Sequence, residues 1–429
     1  MTCDLLVLGS GPAGYYAALS CARAGLSTAL AERAELGGTG FRWGCLPVKM
    51  VLDDLRESAR PSASRHRLAR AQARLPGVEK RLEQDLLAAG VRLHRGETAF
   101  LDPNTVAVAG ERVQARSIVI ATGTRPAAPA GIELDGRTVI SHADLFRRPR
   151  PPRSVTVVGA DVEGVELALL LAGCGARVCL LEQKPEILPG QDRDLAGPVQ
   201  ERLTSLGVRL RLGAAAAAVR RQPGVVELAA GGSVSAECVL VTGLRVPNLP
   251  AGLAAAGVAH SGERIPVDAS FRTSAPHIYA VGDVNGLCGM AHAAIQQGML
   301  LPAALRGERP APQSYPALPR ALFTIPEIAG AGRQERELES QGVPYQRSVC
   351  PLADTWRGIA RGTRHGFVKV LAASEGRLLG AWVCADNASE LAAPFGFLLT
   401  RGATADEVLR SLFIHPTLGE GLLEAVRRL

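Results

Sequence analysis

One pattern constrains this chain more than any other. An apolar run ends in a glycine-spaced turn, a helical stretch follows, and a second apolar run closes on an acidic residue. Asp4 to Gly9 reads DLLVLG, a buried strand by its apolarity, and Gly9-Ser10-Gly11-Pro12-Ala13-Gly14 follows directly. Gly9 permits the tight turn, Gly11 lets a pyrophosphate approach the backbone, and Gly14 lets the new helix pack closely on the strand. Phosphates would sit at the helix N-terminus, where free N–H groups and the dipole favour anions. Apolar periodicity runs on to Gly25, and STALAE then ends in Glu32, 18 residues beyond Gly14, placed to accept hydrogen bonds from a ribose.

The pattern recurs about 150 residues later, in Ser154 to Glu182. Two such units predict an α/β protein with two Rossmann-like dinucleotide-binding domains. In the second turn, Gly159-Ala160-Asp161-Val162-Glu163-Gly164, the outer glycines remain but Asp161 stands where the middle glycine belongs. A Cβ there blocks close approach, and two carboxylates in one turn oppose a pyrophosphate. If a nucleotide binds, Gly159, Gly164 and Glu182 are its contacts, and Glu182 suits the free ribose of NAD over NADP. The competing expectation is a retained scaffold with weakened or lost nucleotide binding.

At 429 residues the chain exceeds what one core organises. The proline-rich stretches Arg147–Ser154 and Arg309–Pro319 mark boundaries. The alternating segments GFVKVLAAS and RLLGAWVCA precede a helical stretch from Ala388, which predicts a C-terminal α+β domain with an antiparallel sheet. The net charge of +7 concentrates in Arg60–Arg81, but no aromatic residues interleave those arginines, so the run reads as a solvated helix face and not a nucleic-acid site. Nine cysteines occur singly, without metal-ligand spacing, which points to a reducing, cytoplasmic setting with no metal site. The glycine-broken N-terminus predicts neither a signal peptide nor a membrane span.

Seven ordered segments carry a family likeness: GSGPAG, GGTGFRWGCLPVK, IATGTRP, TSAPHIYAVGDVNG, MAHAAIQQG, FTIPEIAG and HPTLGE. The chain resembles the class I flavoprotein disulfide reductases, the family of dihydrolipoamide dehydrogenase, glutathione reductase and mercuric reductase. The resemblance implies FAD in residues 1–150 with 268–316, a pyridine nucleotide in 151–267, and homodimerisation through 317–429. It places FAD against Gly9, Gly11, Pro12, Ala13, Gly14, Glu32, Gly38, Thr39, Gly44, Thr122, Gly123, Gly282, Asp283, Ala291 and His292. Asp283 would hold the ribityl chain.

By the same resemblance, the GGTGFRWGC loop should carry two redox cysteines, and it carries one. Cys45 matches the flavin-side position and Gly40 replaces the cysteine that exchanges with substrate. No intramolecular disulfide can form between these positions. Cys45 precedes a helical stretch, where the dipole favours a thiolate, and Arg42 stands close enough in sequence to add to the effect. Gly40 is expected to leave space in which an external thiol or disulfide reaches Cys45; a sulfenic acid cycle is the other route. Cys288, beside the flavin pyrimidine by resemblance, is a lesser candidate as resolving thiol.

His415 would reach the partner subunit's cysteine site and move protons on and off sulfur, with Glu420 orienting it. Glu166 matches the acidic partner of the flavin-side Lys49. Arg42 and Trp43 should line the approach of a substrate whose identity the sequence does not give. Three readings stand at this point. The first is an FAD-dependent, NADH-linked thiol or disulfide oxidoreductase. The second is a dithiol oxidase or quinone reductase with a lost nicotinamide site. The third is a non-catalytic flavin-binding scaffold.

Overall fold

The structure is a computed structural model that describes residues 2–57, 66–221, 224–308 and 315–429. It divides into two compact units, one of Met1–Val51, Ser62–Pro151 and Leu240–Pro312, the other of Leu52–Pro61, Pro152–Val239 and Gln313–Leu429. Among the described residues no helix is long and apolar enough to cross a membrane.

In the first unit, β1 (Thr2–Leu8), α1 (Pro12–Arg23) and β2 (Thr28–Glu32) form the expected crossover. β1 and β2 pair in parallel, Leu5 opposite Thr28 through Leu8 opposite Ala31. Leu5, Leu6, Val7 and Leu8 are fully buried, as a run covered on both faces must be. Strands 92–95 and 111–120 flank this pair in parallel, 278–280 adds beyond 111–120, and 98–108 returns as an antiparallel hairpin. The chain then continues through α2 (Gly38–Arg42) and α3 (Cys45–Glu57).

Part of the basic run falls in helix 67–88; its residues 60–65 lie outside the described residues. Arg70, Arg74, Lys80 and Arg81 face solvent as expected, and Arg81 pairs with Asp85 at 2.8 Å. Arg67 departs from that reading and is buried.

The second unit repeats the crossover as β3 (Ser154–Val158), α4 (Val162–Gly173) and β4 (Arg177–Glu182), with β3 and β4 again parallel. It also contains the C-terminal sheet, five antiparallel strands in the order 320–322, 327–332, 378–385, 367–372, 346–351. Helices 389–400 and 420–426 pack on that sheet over a core of Val368, Val370, Val383, Phe395 and Leu422.

One cation joins the two halves of this unit. Lys369, fully buried, donates to Asp192 Oδ2 at 2.7 Å, Asp194 Oδ1 at 2.7 Å and Glu335 Oε1 at 2.8 Å. Burial pushes its pKa down, but the three carboxylates outweigh this and hold it above the ordinary lysine value. Removing the ammonium leaves three acids facing one another. Lys369→Met should therefore lower unfolding stability by about 3–5 kcal/mol, measured by urea denaturation.

Candidate active site

The first glycine turn is built by close contact. Gly9 has φ +100°, and a Cβ there would lie 2.6 Å from the Ala121 carbonyl oxygen. A Cβ on Gly14 would lie 1.9 Å from the Gly9 carbonyl oxygen, so the helix can approach the strand only without a side chain there. Gly11 is the N-cap of α1, with Pro12 at the first helical position, and no side chain caps the helix. Space beyond Gly11 is open: a Cβ there would meet nothing within 4 Å. First-turn N–H groups, including that of Ala13, thus face an open cradle at a positive helix end, which suits a pyrophosphate. Glu32 accepts from Ser10 N at 2.9 Å, Ser10 Oγ at 2.7 Å and Ala34 N at 3.0 Å, which fixes its carboxylate beside that cradle.

Several other expected cofactor residues meet in the same unit. Thr122 Oγ1 donates to Asn248 O at 2.6 Å, and Asn248 N donates to Gly123 O at 2.9 Å. Asp283 accepts from Thr124 Oγ1 at 3.2 Å, and Arg245 donates to Thr124 Oγ1 at 2.8 Å and to Thr39 Oγ1 at 3.2 Å. Gly282 N donates to Gln297 Oε1 at 2.7 Å, so the fully buried Gln297 holds the turn that presents Asp283. Ala291 and His292 open helix 291–305. Gly38 and Gly44 bracket α2, and Gly44 N donates to Thr39 O at 2.7 Å.

Cys45 is the first residue of α3 and the one exposed thiol among nine, none of which forms a disulfide. Cys288 is half-buried, and burial leads the causes that push its thiol pKa up, so it is the less reactive of the two. The other seven are buried.

Two expectations about this loop are corrected. Gly40 leaves no vacancy for a substrate sulfur: it is buried, and a Cβ there would meet Pro12 Cγ at 2.6 Å. The glycine is filled by close packing of α2 on the first turn of α1. Arg42 is not left to activate Cys45, because its guanidinium pairs with Glu79 at 3.0 Å and Glu35 at 3.6 Å. Arg42 and Trp43 do line a shallow recess, with Glu35, Leu75, Phe146 and Arg147, whose guanidinium lies 5.5 Å over the Trp43 ring.

In the second unit, His415 Nδ1 lies 2.8 Å from Glu420 Oε1, and Thr417 N donates to Glu420 Oε2 at 2.8 Å. Desolvation would raise the Glu420 pKa, but His415 and the Thr417 N–H outweigh it and hold it low. The carboxylate thus stays charged and holds the ring through Nδ1. Trp356 stands edge-on to the imidazole, with ring centroids 6.2 Å apart. Leu412, Ile414 and Trp356 are exposed. Glu166 is buried in α4 and accepts from Phe323 N at 2.8 Å. Lys49 lies half-buried on α3, in the other unit.

The second glycine turn differs from the first at its N-cap. Asp161 Oδ1 accepts from Gly164 N at 2.9 Å and caps α4 itself. Burial pushes the Asp161 pKa up to about 6; the Gly164 N–H opposes this, while Glu163, Glu182 and Glu166 add to it. Glu182 accepts from Ala160 N at 2.8 Å and Lys184 N at 2.9 Å.

Comparison with known proteins matches residues 3–298 to the pyridine nucleotide-disulphide oxidoreductase family and 318–426 to that family's dimerisation domain. The chain belongs to this family. It is 34% identical to dihydrolipoyl dehydrogenase 2 of Haloarcula marismortui, over 98% of this chain and 95% of that protein. Dihydrolipoyl dehydrogenase of Geobacillus stearothermophilus is 32% identical over 98% and 95%. The solved structure of LpdA from Mycobacterium tuberculosis superposes with a TM-score of 0.89 at 28% identity, covering 99% of each chain. RclA of Escherichia coli, at 21% identity and a TM-score of 0.91 over 100% and 99%, shares the fold. This pyridine nucleotide-disulphide oxidoreductase is thus an FAD-dependent enzyme, and its C-terminal domain is of the dimerising type.

Sequence reading of this oxidoreductase missed Ser10, Thr124, Arg245, Asn248 and Gln297. Arg245 and Asn248 had a usable signal, polar residues four and seven positions after the apolar strand CVLV. Gln297 had only its place in an otherwise apolar helix face.

Two outcomes follow from these contacts. Gly40→Ala should destabilise the protein by about 1–3 kcal/mol in chemical denaturation, because the Pro12 ring cannot swing aside. Asp161 takes up a proton on folding between pH 4 and 6, so its carboxylate costs stability as pH rises through that window. Asp161→Asn keeps the cap without the charge. Its Tm should equal wild type near pH 4 and exceed it above pH 7, a gain of roughly 1–3 kcal/mol.

Proposed function

We propose that this FAD-dependent oxidoreductase acts on a thiol or disulfide substrate through Cys45 alone. The observation that carries the reading is the position of Cys45: exposed, at the first residue of a 13-residue helix, in the loop that follows the FAD-binding crossover. The helix end stabilises the thiolate, which is the nucleophilic form. The first unit serves FAD, the second crossover belongs to a second nucleotide-type domain, and 317–429 dimerise.

The Cys45 thiolate attacks one sulfur of a substrate disulfide, forming a Cys45–substrate S–S bond as the substrate's own S–S bond breaks. The departing thiolate takes a proton from His415, which family likeness assigns to the cysteine site of a second subunit. Glu420 holds the imidazole in the tautomer and orientation for this transfer and stabilises the charged ring. Lys49, by family likeness, supports the flavin side. FAD, when bound, would supply a two-electron store for this thiol chemistry. Gly40 offers no second thiol, and the Pro12 ring leaves no room for one without rearrangement, so the bond at Cys45 is intermolecular. A cyclic disulfide substrate then lacks a partner sulfur to complete exchange, and ordinary dihydrolipoyl dehydrogenase turnover is not the activity supported. The fixed His415–Glu420 pair favours catalysis over a bare flavin scaffold.

A second reading has electrons entering from a dithiol and leaving to oxygen or a quinone. Asp161 in the second turn favours it.

Intact-protein mass spectrometry after incubation with a small asymmetric disulfide should show one adduct on wild type, mapped to Cys45. Cys45→Ser should keep its flavin, show no adduct and lose at least about 10³-fold in turnover. Full turnover by that variant would sink the reading. His415→Gln should slow the exchange by about 10²–10⁴-fold while leaving flavin content unchanged.

A further inference from the structure

The two glycine turns are copies of one backbone that differ at one position in what they do with an anion. Gly9 and Gly159 have φ +100° and +103°. Gly9 N donates to Ala31 O at 2.8 Å, and Gly159 N donates to Leu181 O at 2.9 Å. Each crossover ends in a glutamate that accepts from the second turn residue, Glu32 from Ser10 N at 2.9 Å and Glu182 from Ala160 N at 2.8 Å. The N-caps match as well: Gly11 lies at φ −62°, ψ 178° and Asp161 at φ −70°, ψ −172°. The second turn is therefore intact as a backbone. It differs in that its N-cap has a side chain, and that side chain is bonded into the place an incoming anion would take.

We propose that Asp161 is a resident anion that occupies the pyrophosphate position of the second turn, so that this domain rejects NADH and NADPH. Its Oδ1 takes the Gly164 N–H at 2.9 Å, the donor whose counterpart in the first turn, Gly14 N–H, no side chain caps. Its Cβ stands at the N-cap position, where a dinucleotide phosphate approaches the first turn over bare backbone. Glu163, Glu166 and Glu182 surround the same helix end, so an entering diphosphate meets like charges as well as a taken donor. A dinucleotide would have to break the cap, displace a half-buried side chain and lie against this acidic group. This proposal rests on the family assignment and the two turns; it is independent of what Cys45 does.

The test is an anaerobic titration of the flavin-loaded protein with NADH and, separately, NADPH. Nicotinamide fluorescence reads binding and flavin absorbance reads reduction. Wild type should show no saturation up to about 1 mM and no bleaching, a weaker affinity than working dinucleotide sites have. Asp161→Gly, a substitution that a helix N-cap tolerates, should bind NADH at least about 100-fold more tightly. Asp161→Asn keeps the cap and the Cβ but removes the charge. A gain in both variants supports the proposal through charge, and a gain in glycine alone supports it through the side chain's bulk. Micromolar binding by wild type would overturn it. So would two folded, flavin-loaded variants with no gain over wild type. Neither result bears on the Cys45 adduct, which is read separately by mass.

Discussion

Gly14 stands so close to the end of β1 that a single carbon on its Cα would lie 1.9 Å from the Gly9 carbonyl oxygen. That contact sets where α1 starts, and the position of α1 sets nearly everything around the first turn. It aims uncapped N–H groups at the cradle beyond Gly11. It places Pro12 against Gly40, and so fixes how α2 lies and where the chain must turn to begin α3 at Cys45. A methyl group at either glycine would push α1 outward, and the loop bearing the exposed thiol would move with it. The geometry of the sulfur is thus tied to a helix–strand approach some thirty residues earlier in the chain.

Electrostatics then separates two turns that the backbone makes alike. At the first, the positive end of the helix is left for a ligand, with Glu32 held to one side by Ser10. At the second, the protein supplies its own anion and surrounds it with further acids. Burial makes that carboxylate reluctant to ionise, and the helix end makes it less so. The two effects leave it close to half-charged in mildly acidic solution. A domain can keep its fold under such a change because the cap bond replaces the one that a phosphate would make.

Most of the architecture was legible because it follows from periodicity and glycine. The buried run before Gly9, the crossover to Glu32, its recurrence at Ser154–Glu182 and the alternating C-terminal strands all appear as read. The His415–Glu420 pair was legible from the family likeness of HPTLGE, and the two side chains do meet. What failed to show were contacts between segments distant in sequence. Nothing in GTGFR says that Pro12 fills the space beside Gly40, or that Glu79 claims Arg42. The network of Thr124, Arg245 and Asn248 around Asp283 joins residues more than a hundred positions apart. Such pairings are decided by packing, which pattern reading does not reach.

Lys369 has a consequence for how this protein responds to its surroundings. Asp192, Asp194 and Glu335 offer carboxylate oxygens within 4.8 Å of one another, the spacing of ligands around a divalent ion. A lysine side chain delivers the positive charge instead, from the strand next to the edge of the C-terminal sheet to the carboxylates around it. A cation tethered by four methylenes cannot diffuse away, exchange with a competing ion or be stripped by a chelator. The junction between the second crossover and the C-terminal sheet is therefore indifferent to metal supply, and it is assembled as soon as the chain itself has folded.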